Sequence, residues 1–226
     1  MQSPKEMLKE PLGFMRTMAT KKVIQQFAHK FELVYFGFVD PREDKHELVR
    51  GITLSPEHKD THYTVGNFRN HDITLVERQT NLHFPGKPPH MYRWLIMQID
   101  LKHGGFPHIF IDANHHEEVF YANFFLQYAH FEDASSLFSR HDPLFSKYFK
   151  VFAERQAFDE VWSVIKSDMT AMLAYHFHQF DYELDDDRLC VYASNTVITT
   201  HLLQEMMRIG LWLADYLNAQ PSNSTQ

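Results

Sequence analysis

The segment 142–193 limits the folds open to this chain more than any other. It begins with Asp142-Pro143, passes through an aromatic run (Phe145, Tyr148, Phe149, Phe152), and then reads as helix, strand, tight turn and strand. Ser167-Asp168 suits a helix start, because a short side-chain oxygen can accept from a free amide of the first turn; the helix is expected to run to His178. Residues 180–184 and 188–193 flank Asp185-Asp186-Asp187, which predicts a β-hairpin with an acidic turn. A helix leading into an antiparallel hairpin is an α+β unit, and no recognisable catalytic set lies within it.

The flanks extend the same pattern. Ser3-Pro4-Lys5-Glu6 has the N-cap, first-turn Pro and reciprocal Glu of a helix start, and Pro11 and Gly13 are expected to end that helix. From Thr20, Val23, Phe27 and Phe31 recur every fourth residue with Ile24 alongside, a stripe suited to lying on a sheet. Six segments read as strands: 34–39, 48–54, 62–69, 72–80, 91–101 and 108–112. The links between the later ones (Asn70-His71, Pro85-Gly86-Lys87-Pro88-Pro89, His103-Gly104-Gly105) are short, which favours antiparallel neighbours. In 91–101 both alternating faces carry apolar residues, so part of that strand is expected to be covered on both sides. Asn195 or Thr196 is expected to cap a long last helix carrying Val197, Ile198, Leu202, Met206, Ile209, Leu213 and Leu217. The expectation is one α+β domain over 1–220, with a central, mainly antiparallel sheet of about five to seven strands and helices mostly on one face. Residues 221–226 lack apolar anchors and are expected to be a disordered tail.

Composition narrows the function classes. Twenty-two basic against 29 acidic side chains give a formal charge of -7, a field that repels phosphate backbones and anionic lipid, so nucleic acid is not an expected partner. Sixteen histidines make that charge depend on pH. Cys190 is the single cysteine, which excludes an intramolecular disulfide and a Cys-rich zinc site; within Leu189-Cys190-Val191 it reads as a small core residue. No apolar run approaches about 18 residues, and no signal-peptide pattern is present, so a cytoplasmic protein without a membrane partner is expected.

Three segments taken together, Pro107-His108-Ile109-Phe110-Ile111-Asp112, the Phe-x-x-Tyr-Phe-x-Val core of 142–151, and 180–189, resemble in order and spacing a bacterial domain-of-unknown-function family that includes hypothetical proteins of Saccharibacteria. The resemblance spans residues 20–195 and implies a soluble α+β protein; it transfers no catalytic residue. The chain departs from that family in its histidine content, in the aromatic stretch 119–131, and in having Lys166-Ser167-Asp168 where the family has Thr-Pro-Asp.

Two features bear on chemistry. Asp112-x-x-His115-His116-Glu117-Glu118 offers oxygen and imidazole ligands, yet adjacent residues point in different directions. A metal-dependent hydrolase using His115 and His116 would therefore need ligands from elsewhere, such as His176 or His178, and a solvated polar loop is the plainer reading. No metal or cofactor is assigned. Convergence of three or more imidazoles or acids on one point would overturn the view that these histidines are bystanders. Asp185 to Asp187 lack the alternate spacing and distal Glu of calcium loops. The second feature is 119–131. Read as a helix, it puts Phe120, Phe124, Gln127 and Phe131 on one face and Tyr121, Phe125 and Tyr128 on the next, more apolar surface than one sheet contact needs. Phe120, Tyr121, Phe124, Phe125 and Tyr128 are therefore the candidate surface for a protein partner or a second copy, against the alternative of an irregular core segment. With the catalytic motifs missing, a non-catalytic binding or interaction module is the leading expectation.

Overall fold

The computed structural model describes residues 9–38, 49, 51–53, 58–86, 88–113 and 116–220, with side chains from Met18 onward. Its nine strands are β1 (Val34–Gly37), β2 (Lys59–Phe68), β3 (His71–Leu82), β4 (His90–Asp100), β5 (Phe106–Asp112), β6 (Phe131–Asp133), β7 (Lys150–Glu154), β8 (Asp181–Asp186) and β9 (Arg188–Ser194). They form one antiparallel sheet in the order β1-β2-β3-β4-β9-β8-β5-β7-β6. The helices are α1 (Lys9–Lys30), α2 (Glu118–Gln127), α3 (Pro143–Tyr148), α4 (Phe158–Val164), α5 (Ser167–His176) and α6 (Thr200–Asn218). The fold is α+β, with a long C-terminal helix.

Strand periodicity divides the core in two. On one face Leu95, Met97 and Ile99 of β4, Ile109 and Ile111 of β5, and Val191 of β9 meet Ile24 and Phe27 of α1, Phe145 of α3, Val161 of α4, Leu173 of α5 and Leu213 of α6. The alternate residues, Trp94 and Ile96, Phe110, and Tyr192, meet Phe120 and Phe124 of α2 on the other. Helices therefore lie mostly on one face, and β4 is covered on both. Gly210 lets α6 close on the sheet: a Cβ there would stand 2.7 Å from Ile99 Cδ1. The link between β2 and β3 places Arg69 and Asn70 at positive φ, the paired left-handed geometry of a tight two-residue hairpin turn.

Several expectations are corrected. The sheet has nine strands, because the aromatic run hides β7 and the tail of the 119–131 stretch supplies β6, which pairs with it through Phe131 and Glu154. The described part of 48–54 is no strand: Gly51 sits at φ 114, and Ile52 turns its amide to Glu183 rather than to a ladder. Helix α1 runs through Pro11 and Gly13, since a proline in the first turn forfeits only an amide that has no helical partner. The last helix is capped by Thr199, whose hydroxyl accepts from Leu202 N at 3.1 Å. Asn195 instead accepts from Arg93 N with its side chain and joins β9 to β4. Helix α5 ends at His176, two residues before the expected end at about His178. The expected Ser3-Pro4 helix start and the 221–226 tail lie outside the described residues.

Candidate functional site

The second face of the sheet carries unusual charge for a covered surface. Along β8 the alternation that sends Tyr182 and Leu184 to the larger core sends Asp181 and Glu183 to the other side, where both are buried. Asp112 ends β5 on that side and is buried as well. His116 lies two residues before α2, whose Phe120 ring packs 4.0 Å from the imidazole.

These groups converge. His116 Nε2 stands 3.0 Å from Asp181 Oδ2 and 3.6 Å from Asp112 Oδ1, with no exposure of any of the three side chains. The ligand atoms of Asp112, His116 and Asp181 all lie within 4.8 Å of one another. Each has a further partner. His116 Nδ1 shares a 2.5 Å hydrogen bond with the Tyr92 hydroxyl, Tyr121 donates to Asp112 Oδ2 at 2.6 Å, and the Ala113 amide donates to Asp181 Oδ1 at 2.8 Å. Burial works to lower the His116 pKa, but Asp181 and then Asp112 outweigh it and the value is raised. Burial raises Tyr92 and Tyr121 too, Tyr121 with help from Asp112, so both hydroxyls stay neutral. The view of these histidines as bystanders thus fails for His116.

Glu183 anchors a neighbouring knot. It accepts from Ile52 N at 3.0 Å and from the Tyr192 hydroxyl, and it pairs with His108 Nε2 at 2.6 Å. Gly51 is required here twice over: its φ of 114 suits glycine, and a side chain would collide with Glu183 and Tyr192. Arg78 does similar work nearby. Fully buried, it donates to both oxygens of Asp60 at 2.7 Å, to Thr53 Oγ1 at 3.1 Å and to Val49 O at 2.6 Å. Together Glu183 and Arg78 hold Val49, Ile52 and Thr53 over the sheet.

Between these residues and α2 runs a groove of about 790 Å³. Ile52, Leu82, Trp94, Phe120 and Phe124 form its apolar walls, while Thr53, His58, Asn81, His83, Asn123 and Gln127 supply polar atoms. Leu126, 81% exposed, stands on its rim. Asn123 ties α2 to the end of β3 by donating to His83 O at 2.8 Å. Trp94 is 1% exposed, and its indole N–H has no hydrogen-bond partner among the described residues.

Of the expected interaction residues, Phe120 and Phe124 face inward as walls of the groove, Tyr121 is held by Asp112, and Tyr128 lies against Phe124 and Phe131. Phe125 is the most exposed of the five, at 39%, and it still contacts Phe124 and Phe152. His115 lies outside the described residues. Glu117 and Glu118 are exposed, as are His176 and His178, and His178 stacks on Tyr148 at 4.4 Å, so none of them joins the cluster. In the acidic turn Asp185 is paired to Arg188, and Asp186 accepts from Gly105 N of the β4–β5 link at 2.7 Å. Cys190 is buried, and burial first, then Glu183, drives its thiol pKa upward, which makes it inert. Asp181 and Tyr92 were not singled out from sequence. The available signal was the alternation of acids with apolar residues from Phe180 to Asp185, which looks the same whether the acidic face meets water or a helix.

No protein-family model matches the sequence, and no curated protein matches it. Among solved structures, the crystal structure of the mycobacterial trehalose monomycolate transport factor A, TtfA, is similar, with a TM-score of 0.62 over 89% of this chain and 96% of that one. Sequence identity is 10%, so the likeness speaks for the fold. Among the described residues, no helix is long and apolar enough to cross a membrane.

Proposed function

We propose that this protein is a non-catalytic binding module, and that its binding element is the groove between α2 and the β3–β4 part of the sheet. The observation that carries this reading is the groove itself: its volume of about 790 Å³ falls within the roughly 300–1,000 Å³ of small-molecule sites, and its walls are apolar with polar atoms at intervals. The ligand class it suits is an elongated apolar or amphiphilic molecule. The chain of such a ligand would lie on Phe120, Phe124, Leu82 and Ile52, and an acceptor oxygen would satisfy the buried Trp94 indole. The shared fold of a protein described as a transport factor supports binding over catalysis.

A metal-dependent hydrolase centred on His115 and His116 is the rival reading. His116 does meet two carboxylates, but a hydrolase must bring a substrate carbonyl to its ion, and the three side chains are wholly buried. A protein partner or homo-oligomer through the outer side of α2 would use Phe125 and Leu126.

Titration of the delipidated protein with a fluorescent alkyl-chain probe tests the groove. Saturable binding is expected, weakened about tenfold or more by Leu82→Trp, which fills the groove, and by Leu126→Asp at its rim. Circular dichroism should be unchanged in the rim variant. Probe affinity that is equal in wild type and both variants would reject the reading.

A further inference from the structure

We propose that Asp112, His116 and Asp181 form a binding site for one divalent transition-metal ion, which fixes the start of α2 to the ends of β5 and β8. Geometry is the first argument. Zinc holds nitrogen and carboxylate oxygen donors at about 2.0–2.2 Å, so neighbouring donors in a tetrahedral shell stand roughly 3.3–3.5 Å apart. The His116 Nε2 separations of 3.0 and 3.6 Å from the two carboxylates bracket that spacing.

The second argument is the outer shell. Metal-bound histidines commonly engage their other ring nitrogen with a fixed partner, and metal-bound carboxylates are themselves hydrogen-bonded. Here Tyr92 takes His116 Nδ1, Tyr121 takes the far oxygen of Asp112, and the Ala113 amide takes the far oxygen of Asp181. Each residue thus spends one polar atom on the protein and turns another toward the other two.

Charge is the third argument. Two carboxylates and a protonated imidazole leave the cluster at -1, and a neutral imidazole leaves it at -2, with all three side chains out of water. Buried charge is costly unless it is paired, and a divalent ion with neutral His116 brings the sum over these three side chains to zero. One imidazole with two carboxylates suits zinc, manganese or iron; calcium takes six to eight oxygens, which this set does not offer.

The position explains what the ion would do. Asp112 closes β5, Asp181 opens β8 and His116 leads into α2, so one ion would tie two strands of the sheet to the helix that walls the groove. This is independent of what the groove binds, because the readouts are metal content and melting temperature.

Protein purified without a polyhistidine tag should carry about one equivalent of metal by elemental mass spectrometry. Stripping with a chelator should lower the melting temperature, and adding zinc or manganese should restore it. His116→Gln and Asp181→Asn should retain less than about a tenth of the metal, while Tyr92→Phe and Tyr121→Phe should weaken affinity about 10–100-fold. If the ligand variants do not fold, the stripped wild type decides the matter through its thermal response and the visible absorption of bound cobalt. Substoichiometric metal with no thermal shift on adding zinc or manganese overturns the proposal, as does full metal retention in folded His116→Gln.

Discussion

Glu183 shows how much of this molecule rests on single buried polar side chains. Its carboxylate accepts from a backbone amide, a tyrosine hydroxyl and an imidazole, all on the covered face of β8. Glu183→Gln keeps the shape but turns donors toward donors, and removing one partner of a buried pair costs about 3–5 kcal/mol. Tyr192→Phe removes the hydrogen bond to the charged Glu183, worth about 1.5–3 kcal/mol, together with a weaker one shared with the Cys190 thiol. Urea unfolding should rank the two variants in that order. His108 makes part of this stability depend on pH. Burial works to lower its pKa, but the bond and charge of Glu183, helped by Asp185 and opposed by Arg188, raise it overall. A folded pKa above the unfolded one means the contribution is complete below about pH 6.5 and is lost as pH rises through the folded value. Stability measured from pH 6 to 9 should therefore fall in wild type, and His108→Gln should flatten the curve in that window.

At the scale of elements, α2 could be read from sequence as a helix or as an irregular core segment, and its orientation was not legible. A helix declares its buried face by contrast with a polar one, and residues 119–128 have almost none, so Phe120 and Phe124 looked as exposed as Phe125 and Leu126. Coordinates separate them: the first pair is buried against Trp94, Phe110 and Phe152, Phe125 only edges onto Phe152, and Leu126 faces outward. Phe120→Ala should therefore cost about 3–5 kcal/mol, and Leu126→Ala should stay within about 0.5 kcal/mol, by thermal or chemical unfolding. Helix α6 was easier to read, because Leu202, Met206, Ile209, Leu213 and Leu217 recur at three- and four-residue spacing. Its close approach was not legible, since it depends on Gly210 facing Ile99. Gly210→Ala gains helix propensity but forces overpacking worth about 1–3 kcal/mol. Adding Ile99→Val should recover part of that loss, and a double-mutant cycle that finds the two changes additive would show that the contact does not limit α6.

Across the whole molecule, the strands read most reliably where apolar and polar residues alternate, as in β3 and β8; whether a polar face meets water or a second cover cannot be heard in that alternation. Asp181 and Glu183 carry the same signal as solvated acids, and their burial follows from α2 and Val49 to Thr53 closing over them, contacts separated by more than 60 residues in sequence. The charge balance is instead a property of composition and survives the folding of the chain. With neutral histidines the formal charge is -7, so protonating seven of the sixteen cancels it. Fewer than half must titrate, which places the crossover near the ordinary histidine value of about 6.5. Burial lowers His62 and His141, while His108 and His116 are raised by their carboxylate partners, so the individual shifts oppose one another. Electrophoretic mobility should therefore reverse sign between about pH 5.5 and 6.5, with light scattering greatest there because net repulsion between molecules vanishes. A protein that stays anionic down to pH 5 would mean that more imidazoles are held neutral inside the fold than His62 and His141. Metal bound at His116 would move the crossover in the opposite sense, since it replaces at most one protonated imidazole with a divalent charge.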